Sequence, residues 1–69
     1  MKKIVVDSYV SPDNGTLNYH YIEGEPKAKI LIQIGNEKKV RVLSSSNGIC
    51  TFKTKNKGSI SVTYVFNSN

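Results

Sequence analysis

The 69-residue chain has no tryptophan, one cysteine, one histidine and two prolines. Each scarcity excludes something. A lone Cys50 cannot close an internal disulfide, which removes the usual staple of small secreted folds and points to a reducing, cytoplasmic setting. One histidine, one cysteine and five scattered acids offer no metal-ligand spacing, and Gly35, Gly48 and Gly58 stand singly and compose no phosphate loop. No metal or other cofactor is therefore expected. Long apolar runs are missing too. Lys2 and Lys3 precede only Ile4, Val5 and Val6 before Asp7, well short of the roughly 7 to 15 apolar residues of a signal-peptide core. Nothing later approaches the roughly 20 that a membrane-spanning helix needs. Helical spacing is absent throughout, as are repeats and, beyond the brief Ser44–Ser46 run, low-complexity tracts.

What remains is a small β pattern. A chain of this length has room for one domain, residues 1–69, with Asn67–Asn69 expected to fray. Strand-like runs recur about every 8 to 12 residues, as in sandwiches and barrels. The spacing predicts an all-β fold: a small antiparallel β-sandwich or partly open barrel of about six strands built from hairpins.

The stretch from Ala28 to Phe52 organises the rest. Ile30, Ile32 and Ile34 alternate with polar residues, as do Val40 and Val42, so a three-residue loop Gly35–Glu37 is expected to align both apolar stripes by setting Ile32 opposite Val40 and Ile30 opposite Val42. That loop asks Glu37 for a conformation it takes reluctantly. Upstream, Lys2–Val10 reads as one interrupted strand or two short ones, and Ser11–Gly15 concentrates turn formers. Thr16–Ile22 then alternates, placing Leu17, Tyr19 and Tyr21 inward and His20 outward with Asn18. After a loop at Glu23–Lys27 and the organising hairpin, the polar run Ser44–Gly48 suits either a hairpin loop or a crossing between sheets. Ile49–Thr54 and Ser59–Phe66 are expected to pair through Asn56–Lys57–Gly58, with Phe52 opposite Val62 and Cys50 opposite Tyr64. The segments Asn47–Phe52 and Gly58–Tyr64 resemble the closing hairpin of bacterial immunoglobulin-like modules, although the core Trp and cysteine pair of immunoglobulin domains are missing.

Catalysis finds little support. With His20 facing solvent and Cys50 facing the core, the only histidine and the only thiol cannot cooperate, and no pair of carboxylates is set apart by environment. Glu23 and Glu25 read as a solvated loop. No enzymatic activity is expected. Charge is the informative feature, because all five acids fall between Asp7 and Glu37 while Lys38, Lys39, Arg41, Lys53, Lys55 and Lys57 follow with no acid among them, within a net charge of +5. A basic face carried by Lys29, Lys39, Arg41, Lys53, Lys55 and Lys57 is the candidate binding surface. The expected function is a non-catalytic protein-binding module with an acidic protein partner, engaged through the basic face or a sheet edge. An edge would also serve a second copy of the chain. The alternative is a nucleic-acid-binding β-barrel, disfavoured because Tyr19, Tyr21, Phe52, Tyr64 and Phe66 follow the inward stripe and leave only Tyr9 for base stacking.

Overall fold

Alternation of β-branched and polar residues produces six strands: β1 (Val5–Val10), β2 (Asn18–Glu23), β3 (Lys29–Ile34), β4 (Glu37–Val42), β5 (Ile49–Thr54) and β6 (Ile60–Tyr64). The structure, a computed structural model, describes residues 1–12 and 15–66. The central positions of the predicted Ser11–Gly15 turn, Asp13 and Asn14, and the tail Asn67–Asn69 lie outside the described residues. All pairings are antiparallel, in two three-stranded sheets ordered β1-β2-β5 and β4-β3-β6. The fold is all-β, as expected, and open rather than closed into a barrel. Among the described residues there is no helix, and so none long and apolar enough to cross a membrane.

The sheets face each other over five fully buried aliphatics, each worth about 1.5–3 kcal/mol of transfer energy. Ile22 comes from β2, Ile30, Ile32 and Ile34 from β3, and Leu43 from the connection after β4. Val6, Cys50, Phe52, Ile60, Val62 and Tyr64 pack around them. Cys50 and Phe52 do share the inner face of β5, as do Ile60, Val62 and Tyr64 on β6.

Three expectations are corrected. First, β3 and β4 turn through two residues, Gly35 and Asn36, so Ile34 pairs with Glu37, Ile32 with Lys39 and Leu31 with Val40. Gly35 has φ +57° while Asn36 stays at negative φ, the sign pattern of a type II′ turn. Glu37 is thereby spared a left-handed conformation and its carboxylate is put to use, accepting from Asn56 Nδ2 at 3.2 Å and pairing with Lys39 Nζ at 3.4 Å. The consequence is an inverted β4: Lys39 and Arg41 lie on the side of the buried isoleucines, whereas Val40 and Val42 point outward, 52% and 61% exposed.

Second, β5 and β6 do not form a hairpin. β5 pairs with β2 and β6 with β3, so residues 55–59 cross between sheets and the resemblance to an immunoglobulin-like closing hairpin does not survive. Asn56 holds this crossing: its Nδ2 donates to Ile34 O at 3.0 Å, and its Oδ1 accepts from Gly58 N at 2.8 Å. Gly58 serves close approach rather than a positive φ, since a Cβ there would sit 2.8 Å from Gly35 N. The Ser44–Gly48 run is likewise a crossing. Gly48, at φ +69°, meets Gly24, whose N–H donates to Gly48 O at 2.9 Å.

Third, β2 has the opposite phase from that expected. His20 and Ile22 face inward, opposite Phe52 and Cys50 of β5, and Tyr19 and Tyr21 face outward. Ile22 decides the phase, because a wholly apolar side chain gains more from full burial than tyrosines whose hydroxyls need a polar partner. Phe66, assigned to the inward stripe, lies past β6 and is 72% exposed.

Candidate binding surfaces

The six basic residues do not share one face. Lys29 stands on the outer face of the β4-β3-β6 sheet opposite Val42, and Lys53 stands on the outer face of the other sheet opposite Tyr19. Lys39 and Arg41 flank the core from edge strand β4. Lys39 is drawn partly inside: its ammonium lies 5.3 Å from the centroid of the Phe52 ring, a cation–π contact joining β4 to β5. Inward-turned charge of this kind also keeps an edge strand from pairing with another chain. Lys55 and Lys57 are exposed beyond β5, and Lys57 Nζ donates to Gly15 O at 2.9 Å. Lys53, Lys55 and Lys57 therefore cluster at one end of the β1-β2-β5 sheet, apart from the other three.

Two outer surfaces emerge from the register. On the β4-β3-β6 sheet, Leu31 lies between Val40 and Thr63, while Lys29, paired with Val42, also accepts Val65 N–H at 2.9 Å. Half-buried Leu31 and the two exposed valines form an aliphatic patch, with Lys29 set between Val42 and half-buried Val65 in one row and Lys38 at the opposite end of β4. Neither lysine has an ion-pair partner among the described residues.

The β1-β2-β5 sheet carries the aromatics. Cross-strand pairing aligns Tyr9, Tyr19 and Lys53 in one row, with Asp7, Tyr21 and Thr51 in the next. The rings of Tyr9 and Tyr19 stack at 5.2 Å with planes 8° apart, and Tyr9 is 57% exposed. An open depression of about 250 Å³ beside them is lined by Tyr19, Thr51, Phe52 and Lys53. Tyr21 donates to Glu23 Oε1 at 3.1 Å; partial desolvation raises the phenol's pKa, and the carboxylates of Glu23 and Asp7 raise it further. Among the described residues, Asp7 and Glu23 thus lie toward one end of this face, Glu23 3.9 Å from Lys2 Nζ, and Lys53 lies toward the other.

Inside, His20 is 5% exposed, tilted against Phe52 with ring centroids 5.0 Å apart. Its Nδ1 shares a hydrogen bond of 2.6 Å with Ser8 Oγ, and burial lowers its pKa below 6.5, so the ring is neutral near pH 7. Sequence reasoning, which put His20 in solvent, missed this pair; the inward phase of Ile22 was its only signal. A serine on an imidazole suggests nucleophilic chemistry, but Nε2 is buried without a partner, so no carboxylate orients the ring. Burial also raises the pKa of the half-buried Cys50 thiol, which keeps it protonated. Among the described residues no three His, Cys, Asp or Glu side chains gather where a metal could bind.

The chain matches no protein-family model, no curated protein and no solved structure.

Proposed function

We propose that this chain is a small non-catalytic protein-binding module, and that its contact surface is the outer face of the β4-β3-β6 sheet. One observation carries the reading: the two-residue turn sends Val40 and Val42 into solvent beside Leu31. A domain this small has little apolar surface to spare, and leaving two β-branched residues 52% and 61% exposed forgoes stability that a partner's side chains would supply. Lys29, between Val42 and Val65, and Lys38, at the other end of β4, select the partner's charge. An acidic protein segment fits both parts of the patch, its apolar side chains over the valines and its carboxylates at the two lysines. A second copy fits less well, because pairing at edge β4 would bring Lys38, Lys39 and Arg41 against their own counterparts. The free, protonated thiol of Cys50 accords with a reducing, cytoplasmic setting.

Selection from a random peptide library is the test. Enriched peptides should combine acidic and aliphatic residues, should lose affinity when Val40 and Val42 are changed to serine, and should bind more weakly as salt rises. Enrichment without acidic bias, or indifference to the double substitution, refutes the proposal.

A further inference from the structure

A second surface carries an inference that does not depend on the first. We infer that the Tyr9–Tyr19–Lys53 row on the β1-β2-β5 sheet is a binding site for single-stranded nucleic acid.

The geometry begins with the inverted phase of β2, which brings Tyr19 out to stack on Tyr9 and leaves Tyr9 57% exposed on a three-stranded platform. Exposed stacked rings accept another planar ring. The depression beside Tyr19 gives that ring a place, with Thr51 offering a hydroxyl and Lys53 an ammonium at its edge. Beyond it, Lys53, Lys55 and Lys57 continue along the end of β5 and into the crossing with no acid among them. Among the described residues, the acids of this face, Asp7 and Glu23, lie one and two rows from the tyrosine row on the side away from Lys55. Bases over the tyrosines and phosphates along the lysines therefore satisfy both halves of the surface in one orientation. A duplex does not fit, because its bases are stacked on one another and offer no free face to the tyrosines. β5 is also a sheet edge, open to a strand running alongside it.

The test uses the full chain and a fluorescein-labelled oligothymidylate of about a dozen nucleotides, read by anisotropy, with tyrosine emission as a second signal undisturbed by tryptophan. Binding at low salt should weaken on a log–log salt plot with a slope near −0.7 per phosphate neutralised, about −2 for three lysines, and Lys53→Gln should reduce that slope by about 0.7. Tyr9→Ser, at a 57% exposed position, should cost roughly tenfold in affinity with an unchanged salt slope, as removal of a stacking face does. Circular dichroism on each variant confirms that the sheets are intact. Preference for the duplex, displacement by polyglutamate as readily as by oligothymidylate, an unchanged affinity in Tyr9→Ser, or no binding at low salt each overturns the inference.

Discussion

Replacing Gly48 by alanine should remove much of the fold's stability. Gly48 sits at φ +69°, where a side chain costs about 1–2 kcal/mol, and its new Cβ would lie 2.1 Å from the carbonyl oxygen of Gly24. Backbone atoms surround the site on that side, with Gly24 C at 3.0 Å and Pro26 N at 3.2 Å, so no side-chain rotation relieves the overlap. Relief requires the Gly24 and Gly48 segments to separate by more than an ångström, which breaks the 2.9 Å hydrogen bond from Gly24 N to Gly48 O. Both residues are buried, so leaving those groups unpaired adds about 1–3 kcal/mol. The restriction of the unfolded chain by alanine returns less than about 1 kcal/mol. The net loss is about 2–4 kcal/mol, against a total of about 3–10 kcal/mol for a domain of this size. Gly15→Ala is the control, since a Cβ there meets nothing within 4 Å. Guanidinium unfolding followed by far-UV circular dichroism measures both. A Gly48→Ala variant within about 1 kcal/mol of Gly15→Ala would refute the close crossing of the two connections.

Other outcomes follow from the same contacts. Asn56→Ala removes side-chain bonds to Ile34 O, Glu37 Oε1 and Gly58 N and should cost about 2 kcal/mol in the same unfolding assay. His20 has a folded-state pKa below its unfolded value of 6.5, so between those two values the unfolded chain binds more protons; stability should be complete above pH 7, fall as pH drops through that window and level off beneath it. Because His20 is the only histidine, urea midpoints at pH 7.5 and 5.5 should converge in His20→Phe. Cys50, half-buried with a raised pKa, should react with an aromatic disulfide more slowly in the native protein than in concentrated guanidinium.

The number of strands and their rough positions were legible in the sequence, because period-two alternation and turn residues report them, whereas several ends were not: β1 starts at Val5, β2 runs Asn18–Glu23 and β6 stops at Tyr64. Which strands share a sheet was not. A glycine in a short loop looks the same whether it supplies a positive φ, as Gly48 does, or lets two backbones touch, as Gly58 does against Gly35. Only the latter reading turns the loop at residues 55–59 into a crossing. Facing was half legible: β3, β5 and β6 have one apolar stripe each, whereas β2 offers two, Tyr19 and Tyr21 against His20 and Ile22. An alternation has two phases, and choosing by aromatic count instead of by the isoleucine reversed the strand. On β4 a one-residue difference in the turn moved every side chain to the opposite face. The binding residues suffered from both errors. Lys53, Lys55 and Lys57 remained together, but Lys39 and Arg41 moved to the core side, and the apolar patch and the tyrosine platform surfaced only with the observed register.

The most direct test of the proposed module is a methyl-resolved NMR titration with an acidic peptide taken from the library selection. Saturable shifts confined to Leu31, Val40, Val42 and Val65, with those of Ile22, Ile30 and Ile32 unmoved, are what the outward-facing valines predict. Shifts centred on Val5 and Val10, or none at any valine of the β4-β3-β6 sheet, would contradict it.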